Sequence, residues 1–505
     1  MCGRGETGRR RRLKIAFPWS AGSSPAVRTT LFAAALLAGC NPRPDSGAVI
    51  VSAIGGTPAY RDASRVPLDT PARLLADATA QGLVRFDAAG QIEPGLAERW
   101  IVIDDGMTYI FRLREASWSD GAPVTAEQVA ALLKRQIAPS SQNPLTPFLT
   151  AVDDIIVMTP QVIEVQLKRP RPDLLKLFAQ PDLALMRLRP ASGTGPFRVG
   201  RPARSPLLRP LIDPARGDPD DRRAPKPEEN VRLIGERAAR AIARFAAHDS
   251  DLVTGGTFAD WPLVGLGEVA PANVRTDPAA GLFGLAIVNR DGFLGDPANR
   301  AALAGAIDRA SAMAMVLPSW GIAEQILPEQ LDSASPPHPA AWAPLPLADR
   351  QAQARARVAA WTGGPIALRI ALPDGPGATL LFGALAASLR RVGVSSTRVA
   401  IGAPADLRLI DAVAPYDSAR WYLATACRLC SEAAHAALDA ARDAPTLPDR
   451  AARLAEADAV IAGDTPFIPL ARPLRWSLVA LRLRQWQPNS RAWHPLNRLR
   501  PDTTS

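Results

Sequence analysis

Three features predict an α/β protein. Strand-like and helix-like patterns alternate from about residue 48 to about residue 480, the element order of layered α/β architectures. Residues 230–253 and 366–401 each spell a strand, a helix and a second strand in succession. At 505 residues, with 47% hydrophobic and 21% charged positions, the chain can bury two or three cores.

Residues 1–40 read as an export leader. A basic region is followed by the apolar run 31–38 and small residues before a cysteine. The order Leu37-Ala38-Gly39-Cys40 resembles the lipobox of bacterial lipoproteins, which implies that Cys40 is acylated as the first mature residue. An ordinary cleavage site with an incidental cysteine is the alternative. Either way the product is expected in the periplasm or cell envelope, and the lipobox reading anchors it to a membrane. The net charge of +10 belongs mostly to this leader. Its seven basic residues and one acid, taken from totals of 59 and 49, leave 52 and 48 in the remainder. Nucleic acid is therefore not an expected partner. No apolar run approaches the roughly 20 residues of a membrane-spanning helix.

A polar tether at 41–47 precedes a first strand near 48–54. Leu83, Val84 and Phe86 start another strand, which runs into the Asp-Ala-Ala-Gly turn at 87–90. Pro94-Gly95-Leu96-Ala97-Glu98 and Trp100 follow, then the turn Asp104-Asp105-Gly106. Tyr109, Phe111 and Leu113 alternate with Arg112 and Arg114, the period-two pattern of a half-buried strand. After a tight turn at 118–121, Thr125 is a helix N-cap, with Gln128 placed three residues on to complete a capping box. Strands are expected at 153–158 and 161–167. Residues 201–227 hold seven prolines and mixed charges, which predicts an irregular surface loop. Strands at 282–289 and 406–411, helices at 350–361, 433–441 and 451–462, and a closing strand at 466–470 complete the pattern.

The string of parts across 82–129 resembles the signature region of family 5 extracytoplasmic solute-binding proteins, the dipeptide, oligopeptide and nickel receptors of ABC importers. Gly193-Thr194-Gly195-Pro196-Phe197, the run 293–309 and Pro466-Phe467-Ile468-Pro469-Leu470 are similar to further stretches of that family, so the resemblance spans about 48–480. It implies a type II periplasmic-binding-protein-like fold, with two lobes and an extra subdomain around a ligand cleft. The expected partition is lobe I at 48–81, 181–253 and 466–505, its subdomain at 82–180, and lobe II at 254–465. The implied partners are a small-molecule or peptide ligand and ABC permease subunits, with a monomeric chain and no cofactor. A diverged envelope sensor or scaffold is the alternative, and a secreted hydrolase a third.

The hydrolase reading finds no support in motifs. The sequence has no Gly-x-Ser-x-Gly, His-Glu-x-x-His or phosphate-binding Gly-x-x-x-x-Gly-Lys, and its four histidines are scattered. No catalytic or metal site is expected. Residues 412–423 resemble the family loop that faces the cleft, which makes Tyr416, Asp417, Arg420, Trp421 and Tyr422 the ligand-binding candidates. In peptide receptors an acid three residues before Asp417 holds the ligand's α-ammonium; here that residue is Ala414. Asp417 substitutes for it, or the ligand lacks an amine; alternatively the aromatic rings only fill the hinge. Cys427 and Cys430 are a disulfide candidate in an oxidising compartment, with free thiols, a metal site including His435 and a redox pair as the other readings.

Overall fold

The computed structural model describes residues 47–200, 203–211, 226–328 and 331–499. Cys40 and the lipobox lie outside the described residues.

Two sheets organise the chain. The first has seven strands in the order Phe197–Val199, Leu207–Pro210, Val231–Glu236, Val49–Ile54, Leu252–Thr257, Arg475–Val479 and Val274–Asp277. Its centre is parallel, with Val51 opposite both Leu233 and Leu252. Helix Ala238–Ala246 lays Ala241, Ile242 and Phe245 against Val253, Trp476 and Leu478 of this sheet, the helix-on-sheet layering that α/β patterning anticipates. The second sheet runs Ser395–Ala400, Ala367–Leu372, Leu407–Val413, Gly281–Ile287 and Phe467–Ala471. Gly281–Ile287 is buried at every position because strands flank it on both sides.

Among the described residues the chain crosses between these sheets twice. Residues 278–280 lead from Asp277 to Gly281, and residues 472–474 lead back from Ala471 to Arg475. Each crossing contains a proline, Pro278 or Pro473, which fixes one backbone angle of a short connection. Arg472 ties them together by donating to the carbonyl of Gly281 at 3.3 Å. Gly281 has a positive φ of +155°, and a side chain there would collide with the carbonyl of Ala412, so glycine is required where the second sheet begins.

These crossings correct the expected partition. Phe467–Ala471 belongs to the second sheet, with Ala286 opposite Phe467 and Leu285 opposite Ile468. The first sheet extends past residue 254 to include all of Leu252–Thr257 and also Val274–Asp277. Lobe II therefore does not begin at 254 or end at 465. Pro466 and Pro469 look like a boundary in sequence, but Pro469 is accommodated on an edge strand beside a register shift, one of the few places a sheet tolerates proline. The predicted loop at 201–227 also needs correction, because Leu207–Pro210 is an antiparallel strand of the first sheet.

A smaller antiparallel sheet, in the order Ala97–Ile103, Thr108–Leu113, Val162–Leu167 and Val152–Thr159, carries helix Ala126–Ile137 on one face. Tyr109, Phe111 and Leu113 all point into its core, as period-two alternation requires. The Thr125–Gln128 capping box is formed in both directions. From this subdomain the short helix Leu174–Phe178 leads to the junction between the two sheets.

Candidate ligand site at the junction of the two sheets

Strand Leu407–Val413 leaves the second sheet and turns at 414–418 into helix Ala419–Ala426. Ser418, at the N-cap, does not cap the helix with its own side chain. Asp332 does so instead, accepting from the Ala419 amide at 2.7 Å and from the Ser418 hydroxyl at 2.9 Å. A carboxylate there meets both the free amides and the positive end of the helix dipole. Arg450 donates to the same carboxylate and, at 2.8 Å, to the Ser418 hydroxyl. The turn is thus fixed from the proline-rich segment on one side and from helix Leu447–Asp464 on the other.

The segment before the helix is held by residues distant in sequence. Gln180 donates to the carbonyl of Pro415 at 2.9 Å, and Arg171 donates to the Tyr416 hydroxyl at 2.8 Å. Lys176 reaches the Asp417 carboxylate at 2.7 Å. Arg491, from the C-terminal tail, donates to Asp417 and also to the Ala414 carbonyl at 2.6 Å. Tyr416 is fully buried, with the Phe148 ring edge-on at 5.9 Å. Burial works to raise the Asp417 pKa, but bonds from Lys176 and Arg491 outweigh it and hold the carboxyl below its ordinary value.

All five sequence-predicted residues therefore come together on one turn and helix, but in different settings. Asp417 keeps 41% of its side chain exposed. Trp421 and Tyr422 are only 4% and 1% exposed, and their rings meet edge to face at 5.0 Å. They are core residues here, not an open lining, because the helix turns both rings into the main apolar cluster. Burial pushes the Tyr422 hydroxyl up to about 12. Arg420 is 8% exposed, and its Nε has no hydrogen-bond partner. Burial, reinforced by repulsion from Arg171, Arg442 and Arg450, pushes its guanidinium down to about 10.

Cys427 and Cys430 are joined by a disulfide at the C-terminal end of the helix, so neither offers a thiolate for metal or redox chemistry. Among the described residues no group of three His, Cys, Asp or Glu side chains is placed to hold a metal ion. The partners the sequence did not reveal are Arg171, Lys176, Gln180, Asp332, Arg450 and Arg491. None lies in a stretch with a recognisable pattern, and only the fold brings them to the turn. The arrangement supplies hydrogen-bond donors, fixed charges and buried rings, which are the materials of recognition sites.

Two α/β sheets joined by paired crossings, with a polar turn held between them, define a two-lobed binding protein. The profile of "Bacterial extracellular solute-binding proteins, family 5 Middle" matches residues 91–400, more than half of the chain. The chain belongs to this family and is a solute-binding protein, not an enzyme. Among solved structures, Haemophilus influenzae OppA in complex with RPPGFSPFR gives a TM-score of 0.77 at 16% identity, covering 90% of this chain and 99% of that one. The Escherichia coli murein tripeptide binding protein MppA gives 0.76 at 18% identity, covering 91% and 99%. At such identities the likeness is one of fold. The probable deoxycholate-binding periplasmic protein YgiS of Escherichia coli (strain K12) is 39% identical over 93 residues, 18% of this chain and 17% of that protein. Periplasmic oligopeptide-binding protein OppA of Salmonella typhimurium is 32% identical over 122 residues, covering 21% and 22%. The chain thus aligns with only about a fifth of the length of these two relatives.

Proposed function

We propose that this protein is an envelope receptor that captures a peptide-like solute between its two lobes and delivers it to the permease of an ABC importer. In this reading Cys40 carries a lipid anchor that keeps the receptor at the membrane, in the periplasm or cell envelope. The observation that carries the proposal is the turn at 414–418. It hangs from the second sheet by Leu407–Val413 and is held by the subdomain and the C-terminal tail. Two short crossings are the only covalent links between the sheets among the described residues, so a hinge there opens and closes the junction. A ligand with higher affinity for the closed state shifts the population toward it, and a permease can sense that state. Peptide-like solutes accord with the structural neighbours, OppA in complex with RPPGFSPFR and the murein tripeptide binding protein MppA.

Native mass spectrometry of the mature protein, purified from its own envelope, tests the proposal. A co-purifying small molecule is expected, released when the protein is unfolded and returned on refolding. A protein that carries nothing and contracts with no solute of a peptide library, as followed by small-angle scattering, would refute the receptor reading. Cys40→Ser should move the protein from the membrane fraction to the soluble one.

A further inference from the structure

Residues 489–494 of the C-terminal tail reach both ends of the crossing at 278–280. Before it stands Asp277, the last residue of edge strand Val274–Asp277. Its carboxylate accepts from the Asn489 amide at 3.0 Å, and its other oxygen lies 3.1 Å from Nε2 of His494. At the far end of the crossing, the Ala280 amide donates to the Ser490 carbonyl at 2.9 Å. Beyond it, Arg491 donates to the Ala414 carbonyl at 2.6 Å and to the Asp417 carboxylate. The Ala414 amide in turn donates to the Ala280 carbonyl at 2.8 Å. Crossing, tail and turn thus form one hydrogen-bonded assembly.

The tail loop keeps its own shape. The side-chain oxygen of Asn489 accepts from the amides of Arg491 and Trp493 at 3.1 and 3.3 Å, and its amide nitrogen donates to the Trp493 carbonyl at 2.9 Å. Ala492 takes a left-handed φ of 49°, which an alanine keeps only where its surroundings impose it. A preformed loop gives up little freedom on gripping a partner.

Its two attachments differ in kind. Toward the first-sheet half, Asp277 takes two contacts from the loop. Trp493 adds a bond from Nε1 to Asp77 of helix Thr70–Thr79 at 3.2 Å, and Asn489 one to the Ala88 carbonyl at 3.3 Å. Asn489, Trp493 and His494 are all buried there. Toward the second-sheet half the loop reaches through Ser490 and Arg491. When the hinge opens, the loop should therefore travel with the first sheet, and the bonds of Arg491 and Ser490 are the ones that part. The Arg491–Asp417 bond is charge-assisted, the stronger class of hydrogen bond, so its loss can shift a two-state equilibrium.

We infer that residues 489–494 are a clasp built on the first-sheet half, with Arg491 as its catch on the turn at 414–417, and that this clasp keeps the ligand-free chain in its closed arrangement. This rests on the two-lobed hinge of the receptor reading. It adds that the protein itself supplies part of the drive to close. A solute then enters while the catch is released and contributes only the remainder.

The test compares the mature wild type with Arg491→Met, both refolded free of solute, by small-angle scattering and by hydrogen exchange. Arg491→Met should have the larger radius of gyration. The amides of Ala280 and Ala414 should exchange about tenfold faster or more, as local opening becomes easier. The amides at 489, 491 and 493 should keep their protection, because they bond to Asp277 or within the loop. Scattering that superimposes on that of the wild type overturns the clasp. So does lost protection at 489, 491 and 493, which would make Arg491 a requirement for folding the tail and not a catch. If Arg491→Met does not fold, Asp417→Asn weakens the same grip from the other side, and an Asp417→Asn protein no larger than the wild type overturns the clasp. The receptor reading is judged separately. A wild type that contracts with a peptide while Arg491→Met is not enlarged keeps the receptor and loses the clasp, and an enlarged Arg491→Met with no solute for the wild type does the reverse.

Discussion

Asp417 accepts a hydrogen bond from Arg491, 74 residues further along the chain, and its other carboxylate oxygen accepts from Lys176 of the subdomain. One side chain on the turn thus joins the second-sheet half, the subdomain and the C-terminal tail. The two cations are in different environments, since Arg491 is only 4% exposed and Lys176 is 34% exposed. Removing the carboxylate harms the fold chiefly by leaving Arg491 buried without an acid.

Asp417→Asn should therefore lower stability by about 1–2 kcal/mol at pH 7, a value discounted for the exposure of the carboxylate. The pH dependence has a definite sign. A carboxyl held below its ordinary value in the folded state contributes fully above the unfolded pKa of about 3.9 and loses that contribution as pH falls through the folded value. Urea melts of both proteins from pH 7 to pH 3 should show a constant gap down to about pH 4, narrowing below it. A gap that widens on acidification would contradict the pairing.

Trp421→Ala should destabilise the ligand-free protein. The ring is 4% exposed, within the main apolar cluster and against Tyr422. Truncating a buried Trp costs about 3–5 kcal/mol. Had the ring only lined an open cleft, the ligand-free melting temperature would hardly move. Chemical denaturation of the ligand-free variant separates these outcomes directly.

Reducing the Cys427–Cys430 bond should cost little. The loop it closes is very short, three positions in sequence separation, and loop-closure entropy for so few residues gives about 2 kcal/mol at most. The end of helix Ala419–Ala426 should loosen without global unfolding. Thiol labelling should find both cysteines blocked in the native protein and both reactive after reduction, while the melting temperature falls only a few degrees.

How much of this was legible in the sequence depended on the range of the interactions. Tyr109, Phe111 and Leu113 announce their strand because burial on one face imposes alternation within six residues, and the Thr125–Gln128 box is local by nature. The turn bearing Tyr416 to Tyr422 was found for the same reason, as a continuous string. Arg171 could not be found this way, since it meets Tyr416 across 245 positions. The lobe boundary was also hidden, because it is set by which strand Phe467–Ala471 pairs with, and its two prolines pointed to the wrong place. Pro206 and Pro210 similarly disguised the strand Leu207–Pro210 as a loop.

Asp332 offers the sharpest test of how the turn is built. Its carboxylate accepts from the Ala419 amide, the Ser418 hydroxyl and Arg450, yet it lies in the proline-rich stretch before helix Leu347–Ala360. Asp332→Ala removes the helix cap and leaves Arg450, whose side chain is 5% exposed, without an acid. The cap accounts for about 1 kcal/mol, and the orphaned charge should bring the total to about 3–5 kcal/mol. These two parts can be separated. If the orphaned guanidinium dominates, the double variant Asp332→Ala, Arg450→Met should be more stable than Asp332→Ala alone, because the second change removes the buried charge. If the cap dominates, the second substitution should add its own loss. Urea denaturation of the four proteins in the cycle distinguishes them, and a coupling energy near zero would show that Arg450 does not depend on Asp332.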